Sequence, residues 1–204
     1  MTLPERIGII GMGAIGKAIA GHVARAGFEL WIAGSRGPAA LDGLARSLGP
    51  RVAAVGVQEA ATADLVVLAV PWAALPAVAA EVPSWAGRIV VDPSNALVLP
   101  DFRAADLGGR LSSAIVAELL PGARLVKAFN TLDAAKLAAD PRQAGGRRVL
   151  FLSGDDAAAK ATVAGVMEAM GFFPVDLGSL EHGAPLQQFP GGPLATLDLI
   201  RREA

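Results

Sequence analysis

The chain has 204 residues, of which 53% are hydrophobic and 18% charged, and its formal net charge is −1. This length can bury a sizeable core in one domain, or in one domain with a small appendage. Because there is no cysteine, thiol catalysis and cysteine-ligated zinc or iron–sulfur sites are excluded. The near-neutral charge and the two histidines favour neither a nucleic-acid partner nor a metal site, and we expect neither.

The mean hydropathy of +0.47 raises the question of a membrane span. The longest uncharged run, residues 65–80, has 16 residues and contains Pro71 and Pro76. A spanning helix needs about 20 residues, so we expect no membrane partner. The first residues show no basic segment leading to a small-residue cleavage site, so we expect a cytoplasmic protein.

Short apolar runs bounded by Gly, Pro or Asp recur along the chain, with helix-like segments between several of them. This pattern predicts an α/β fold, a Rossmann-type doubly wound, mainly parallel sheet with a small C-terminal extension. The predicted strands are residues 6–11, 28–33, 51–55, 65–70, 88–92, 124–128, 147–152 and 172–176. The predicted helices are residues 15–26, 38–48, 111–120, 157–170 with Asp155 as N-cap, and 194–202.

A glycine-rich turn, GMGAIG, lies between the first predicted strand and the first predicted helix. In a dinucleotide site the first glycine permits a tight turn, the second lets a pyrophosphate approach the backbone, and the third lets the helix pack on the strand. The helix N-terminus then offers free N–H groups to the anion. The alternative is an ordinary strand-to-helix turn. The predicted contacts are Gly11, Met12, Gly13, Ala14, Ile15 and Gly16.

The end of the second predicted strand indicates which dinucleotide is bound. An NAD site places an acidic residue there, but none occurs between Glu29 and Asp42. The hydroxyl of Ser35 and the guanidinium of Arg36 could instead bind a 2′-phosphate by charge-assisted hydrogen bonds. NADP is therefore expected, the alternative being that Arg36 is a solvated turn residue.

Three further strand ends carry residues that would lie on the nicotinamide side of such a sheet. Val70, Pro71 and Trp72 follow the fourth predicted strand, Asn95 follows the fifth, and Asn130 follows the sixth. Trp72 could form a wall for a planar ring, and the two asparagines could hydrogen-bond one. Taken singly, Trp72 could be a core residue, Asn95 a turn former and Asn130 a helix cap.

Other polar groups favour structural roles. Asp155 and Asp156 precede an alanine-rich helix, which capping explains. His22 falls on the first helix as a packing or surface residue, whereas His182, in the Gly/Pro-rich terminal segment, could reach a ligand. No Ser/His/Asp order with a nucleophile turn is visible, so hydrolase chemistry is not expected.

The chain resembles the coenzyme F420-dependent NADP oxidoreductase family, soluble relatives of the cytoplasmic domain of the STEAP-type metalloreductases. The resemblance runs over most of the chain and is carried by IGIIGMGAIGKAIA, GSRGP, VVLAVPW, VVDPSNAL and LVKAFNTL. It implies an NADP-binding Rossmann domain over residues 1–140 and a homodimer. Residues 141–204 would form a small α/β portion that completes a second-substrate pocket and provides the dimer interface. The implied activity is hydride exchange between NADP(H) and the deazaflavin F420.

The resemblance also implies roles for individual residues. The pyrophosphate would contact the backbone of Met12, Ala14 and Ile15, while Ser35 and Arg36 would hold the 2′-phosphate. The ring pocket would be lined by Pro71, Trp72, Asn95 and Asn130. Members of the family often carry a further basic residue after the Ser-Arg pair, but residues 37–40 are Gly-Pro-Ala-Ala.

Chain length favours transfer between two rings over reduction of a carbonyl. Ketoacid reductases append a helical domain with a catalytic Lys or His, but only 77 residues follow Lys127. Hydride transfer between stacked rings chiefly needs proximity. We therefore predict that no residue, Lys127 and His182 included, acts as an essential acid or base. The alternatives are an NADPH-dependent flavin or ferric reductase using FMN or FAD, a small imine or carbonyl reductase, and a non-catalytic NADP sensor.

Fourteen arginines against four lysines favour a bacterial source.

Overall fold

The computed structural model describes residues 3–98 and 100–202. Two one-turn 3-10 helices, Pro38–Leu41 and Trp72–Ala74, supplement the main elements. In chain order these are β1 (Arg6–Ile10), α1 (Ala14–Arg25), β2 (Glu29–Ala33), α2 (Asp42–Leu48), β3 (Val52–Ala54), α3 (Val57–Ala60), β4 (Leu65–Leu68), α4 (Leu75–Glu81), β5 (Ile89–Asp92), β6 (Leu97–Val98), β7 (Arg103–Ala104), α5 (Ser112–Leu119), β8 (Arg124–Ala128), α6 (Ala134–Ala138), β9 (Arg142–Gln143), β10 (Gly146–Gly154), α7 (Ala157–Ala169), β11 (Phe173–Asp176), α8 (Leu180–Gln187) and β12 (Ile200–Arg202).

The central part of the sheet is parallel, with strand order β3-β2-β1-β4-β5-β8. Every residue of β4 and β5 is buried, because helices cover both faces and leave these strands no polar side. The order reverses between β1 and β4, which is the switch point of a doubly wound sheet. The Rossmann-type fold predicted from the sequence is confirmed.

Two hydrophobic clusters flank the sheet. The first joins α1, α2, α6 and α7 to one face, with Ile19, Leu137 and Val163 among its members. The second joins α3, α4, α5 and α8 to the other face, with Leu75 and Val116 among its members. This layering holds the carboxyl ends of the parallel strands at one edge, where a ligand of such a sheet binds.

The C-terminal part of the chain extends the same sheet. β10 runs antiparallel to β8, and β11 runs parallel to β10 after the α7 crossover. The short strands β9 and β12 pair antiparallel with the first residues of β10. Residues 141–202 therefore share the hydrogen-bonded framework of residues 3–140.

The terminal helix predicted over residues 194–202 is wrong. Thr196 has a positive φ of 67°, and its N–H donates to the Thr131 carbonyl at 2.7 Å. The chain then continues extended into β12, and Arg148 binds Asp198 at 2.7 Å. A short segment gains little from helix formation alone, so pairing with β10 prevails over its local preference.

The N-cap predicted at Asp155 is also wrong by one residue. Because α7 begins at Ala157, Asp156 is its N-cap and accepts a hydrogen bond from the Ala159 N–H at 2.8 Å. The Asp155 carboxylate instead accepts from the N–H of Leu180 at 3.0 Å. Adjacent aspartates thus serve two different helices, α7 and α8.

Among the described residues, none of the helices combines the length and the apolar composition that crossing a membrane requires.

Candidate functional site

The three glycines of the turn between β1 and α1 are required for three different reasons. Gly11 has a φ of 102°, and a Cβ there would lie 2.3 Å from the carbonyl oxygen of Ala69. A Cβ on Gly16 would lie 1.9 Å from the carbonyl oxygen of Gly11, so this glycine lets α1 pack on the turn. A Cβ on Gly13 would meet no non-neighbouring atom within 4 Å among the described residues. Gly13 is therefore the open position, where a ligand can approach the backbone.

The N-terminus of α1 can accept an anion. Gly13 is the N-cap in an extended conformation, no side chain among the described residues caps the helix, and its first turn holds no acidic residue. The first N–H groups of the helix therefore lack internal acceptors and point to the open side of the turn. Met12 and Ile15 pack partly against the core, so their contacts with a nucleotide would come from the backbone. Ala14 is exposed.

Ser35 and Arg36 form the centre of a tight turn after β2. The N–H of Gly37 donates to the carbonyl of Gly34 at 3.1 Å, which closes the turn and exposes both side chains. Within residues 3–98 and 100–202, neither side chain makes a hydrogen bond or an ion pair. The structure thus presents a hydroxyl and a guanidinium one strand away from the glycine turn, and both remain free to bind a phosphate.

The end of β4 lies beside the same turn. Val70 is a direct neighbour of Gly11, since its Cγ1 lies 2.9 Å from the position of a Gly11 Cβ. Pro71 is exposed, and Trp72 opens a 3-10 turn with its ring partly buried against the hydrophobic cluster of α4 and α5. Trp72 is thus partly buried, and its contact with a planar ring stays a prediction.

Asn95 and Asn130, predicted separately from two strand ends, are brought together by the structure. The Asn95 Nδ2 donates to the Asn130 carbonyl at 2.9 Å, and the Asn130 Nδ2 donates to the Asn95 Oδ1 at 3.1 Å. The N–H of Phe189 donates to the same Oδ1 at 3.0 Å. Both amides are thus engaged by protein partners, and they connect β5 and β8 to the segment after α8.

Sequence reasoning missed Gln187, the last residue of α8. Its side chain is fully buried, and its Oε1 accepts from the Ser153 hydroxyl at 2.7 Å. The helix itself was not predicted because Gly183 and Pro185 lie inside it. The available signal was Ser179, which caps α8 by accepting a hydrogen bond from the N–H of His182 at 3.3 Å.

A buried ion pair supports the loop that carries Asn95. The Lys127 ammonium lies 2.9 Å from Asp92 Oδ2 and also donates to the Ser94 carbonyl, while Asp92 Oδ1 accepts from the Ser94 N–H at 2.8 Å. The side chains of Lys127 and Asp92 are both 0% exposed. Lys127 therefore holds the backbone at the end of β5 through Asp92 and Ser94.

The two histidines lie on different helices, His22 in α1 and His182 in α8. His22 is buried: its Nε2 donates to the Leu137 carbonyl at 2.7 Å, and its Nδ1 accepts from Arg25 at 2.9 Å. Burial lowers the pKa of His22, and the nearby Arg25 charge lowers this pKa further. His182 is exposed, with its Nδ1 2.8 Å from the Ser179 hydroxyl. The sequence left a packing and a surface role open for His22, and the structure shows the packing role.

The aspartates before α7 are structural. Asp156 caps α7 and binds Arg124 through two hydrogen bonds of 2.8 and 2.9 Å. The Arg124 guanidinium and the Ala159 N–H hold the pKa of this carboxyl well below its ordinary value. No group of metal-ligating side chains occurs in the part of the chain that the structure describes.

The arrangement fits NADP(H). Gly13 and the uncapped end of α1 provide an open cradle for a pyrophosphate at the switch point of the sheet. Ser35 and Arg36 provide uncommitted donors where the adenosine ribose of a dinucleotide lies. The carboxyl ends of β4, β5 and β8 form the other half of the crevice.

Comparison with known proteins agrees with this arrangement. Residues 6–96 match a family model described as NADP oxidoreductase, coenzyme F420-dependent. Metalloreductase STEAP3 of Rattus norvegicus is 34% identical over 187 residues, which cover 91% of this chain and 36% of that protein. The chain thus spans only about a third of the length of this curated relative.

Two solved structures are similar over nearly the whole chain. A hypothetical protein from Sinorhizobium meliloti has a TM-score of 0.91 and 50% identity, covering 98% of this chain and 96% of that one. A protein from Arthrobacter sp. FB24, described as a candidate F420-dependent NADP reductase, has a TM-score of 0.75 and 28% identity, covering 97% of this chain and 100% of that one. Over residues 6–96 the protein thus matches the coenzyme F420-dependent NADP oxidoreductase family, and its similarity to these two structures extends over nearly the whole chain.

Proposed function

We propose that the protein transfers a hydride between NADP(H) and a second ring cofactor, coenzyme F420. The family description and the description of the Arthrobacter relative support this acceptor. The observation that carries the proposal is a cleft of about 420 Å³ that opens next to Asn95, at the edge of the sheet where the nicotinamide half of a dinucleotide lies. Its volume falls within the range of small-molecule sites.

The lining of the cleft suits a ring better than it suits acid–base chemistry. Residues of the loop 104–113 form one wall, and residues 184–192 form the other. Its charged lining residues are Asp106, whose carboxylate accepts from the N–H of Gly108 at 3.0 Å, and Arg110, which pairs with Glu118. Ser113 adds a buried hydroxyl without a hydrogen-bond partner among the described residues, which could bind a polar ring substituent.

The chain would contribute to the reaction chiefly by binding and orientation. The Gly13 turn would hold the pyrophosphate, and Ser35 and Arg36 would hold the 2′-phosphate. When bound, NADPH supplies the hydride from its nicotinamide ring. The segment after α8 would keep water away and hold the acceptor against the Asn95 side of the sheet. Such a reaction gains its rate from proximity and requires no protein acid, which agrees with the buried position of Lys127.

The proposal is tested by mixing the purified protein with NADPH and either oxidised F420 or FMN while following the 340 nm absorbance. We expect NADPH oxidation with F420. Binding of NADPH without oxidation by either acceptor, or by a panel of small imines and carbonyls, would instead identify an NADP sensor. Oxidation by an imine or carbonyl alone would identify a reductase of that class.

A second candidate is an NADPH-dependent flavin or ferric reductase. It is favoured by the similarity to rat metalloreductase STEAP3, of which this chain spans 36%. The same cleft would then hold FMN or FAD. NADPH oxidation with FMN, coupled to ferric reduction and absent with F420, would support this candidate over the first.

We further propose a homodimer whose contact includes the β6–β7 hairpin in addition to residues 141–204, where the family resemblance places the interface. Phe102 is 60% exposed and Val98 40% exposed, and a two-stranded hairpin gains little stability by itself. Light scattering should give twice the monomer mass, and Phe102→Ser should shift the protein toward the monomer.

A cytoplasmic location and a bacterial source stay predictions from the sequence.

A further inference from the structure

Gln187 occupies the point where α8, β8 and β10 meet. It is 0% exposed, and its Nε2 lies 3.3 Å from each of three acceptors. A carboxamide has two N–H groups, so these acceptors share its donors. The three acceptors are the carbonyls of Lys127 and Phe151 and the side-chain Oδ1 of Asn130.

A continuous series of amides runs from Gln187 to the segment after α8. Gln187 fixes the Asn130 Oδ1, and this orients the Asn130 Nδ2 toward Asn95 Oδ1 at 3.1 Å and toward the Gln187 carbonyl at 2.9 Å. The Asn95 Oδ1 in turn accepts from the N–H of Phe189 at 3.0 Å. The side chain of Gln187 is thereby connected through two asparagines to the backbone two residues later.

The segment held in this way is one wall of the cleft. Gln188, Gly191 and Gly192 line the cleft, and the Ser112 hydroxyl donates to Gln188 Oε1 at 2.8 Å across it. A Cβ on Gly192 would lie 2.6 Å from the carbonyl oxygens of Gln188 and Leu186, so the turn tolerates little displacement. Any loss of the anchor at Phe189 therefore changes the width of the cleft.

We propose that Gln187 is a positioning residue, which fixes the cleft wall through Asn130 and Asn95 and so sets the affinity for the second substrate. The inference rests on the proposed function for its kinetic consequence, but the coupling of Gln187 to Phe189 is independent of that function. It assigns the two asparagines an indirect role, since their amides bind protein groups.

The coupling is tested by hydrogen exchange of the Phe189 amide, measured by NMR on the full chain saturated with NADP. Gln187→Met keeps the side-chain volume and removes the donors, while Val163→Ala weakens the core on the opposite face as a stability control. We expect exchange at Phe189 to become about tenfold faster in Gln187→Met, as for loss of one hydrogen bond, and to remain unchanged in Val163→Ala. Equal exchange in the two variants would overturn the coupling.

A second pair of variants covers the case in which Gln187→Met does not fold. Asn95→Leu removes the acceptor of the Phe189 N–H, whereas Asn95→Asp keeps it. Exchange at Phe189 should rise in Asn95→Leu and stay close to wild type in Asn95→Asp. A rise of the same size in both variants would contradict the anchoring role of the Asn95 oxygen.

The kinetic consequence is tested with oxidised F420 as the probe. We expect Gln187→Met to raise KM for F420 by about tenfold while the Kd for NADPH changes less than about twofold, because the nucleotide cradle lies elsewhere. Faster exchange with an unchanged KM would overturn the positioning role and leave the proposed function standing. If the wild type transfers no hydride, the proposed function fails. The positioning role is then tested by the Kd for F420 in the NADP complex, which Gln187→Met should raise by about tenfold. Absence of F420 binding would also overturn it.

Discussion

Lys127 and Asp92 form an ion pair of 2.9 Å inside the sheet, directly across the paired strands β8 and β5. Both side chains are inaccessible to solvent. Removing a charge from water is costly, and attraction and hydrogen bonds offset this cost only when each partner is satisfied. The carbonyl and N–H of Ser94 supply these further bonds, so the pair fixes the loop that leads to Asn95.

Lys127→Met should therefore lower the free energy of unfolding by about 3–5 kcal/mol, because it leaves the Asp92 carboxylate buried without its partner. The double variant Lys127→Met/Asp92→Asn removes both charges and should recover a substantial part of this loss. Urea unfolding of the two variants measures the difference. Equal stability of the single and double variants would contradict this description of the pair.

The glycine turn predicts opposite outcomes for two substitutions three residues apart. Gly13→Ala should fold with wild-type stability but bind NADP about tenfold more weakly or worse, since its methyl group enters the open cradle. Gly16→Ala should lose about 1–3 kcal/mol of stability, because its Cβ would lie 1.9 Å from the Gly11 carbonyl oxygen. Thermal unfolding and nucleotide titration of both variants separate the effects. Unchanged NADP affinity in Gly13→Ala would argue against this cradle.

Arg36 should determine the preference for NADP over NAD. Loss of a charge-assisted contact costs about 1.5–3 kcal/mol, so Arg36→Ala should raise the Kd for NADP about ten- to hundredfold and leave the Kd for NAD unchanged. Arg46→Ala, an exposed arginine on the neighbouring α2, is the matched control. Equal weakening by both substitutions would indicate only a general charge effect.

His22 should make stability depend on pH near neutrality. Burial holds its pKa below the ordinary value of 6.5 in the folded protein, so near pH 6 the unfolded chain binds more protons. Stability from this group is complete above that value and falls as the pH drops through it, by at most about 1.4 kcal/mol per pH unit. Unfolding at pH 7.5 and 5.5 should show a smaller pH dependence for His22→Phe than for wild type. Identical dependence in both proteins would assign the effect to other groups.

The fold was predictable where one local pattern determines the structure. The run LVVL forms β4 because it has no polar face and so must lie in a sheet covered on both sides. The GMGAIG turn likewise contains, in six residues, the steric requirements that the structure confirms at Gly11 and Gly16. These features depend on residues that are close to one another in the chain, so the sequence alone reveals them.

What could not be predicted depends on partners that are distant in sequence. Gln187 acquires its role from acceptors 36 to 60 residues away, and no spacing rule connects them. β12 exists because β10 offers it hydrogen bonds, although its own residues are compatible with a helix. Asn95 and Asn130 were recognised as candidates from their positions at strand ends, but their mutual hydrogen bonds appear only in three dimensions.

Direct hydride transfer from NADPH to a ring acceptor is tested with NADPH deuterated at C4 of the nicotinamide. The protein is incubated in ordinary water with each C4 epimer and oxidised F420, and the reduced deazaflavin is analysed by mass spectrometry. We expect one deuterium on a carbon of the reduced deazaflavin from one epimer and none from the other. Reduced deazaflavin that carries only solvent hydrogen with both epimers, or no reduction at all, would contradict direct transfer.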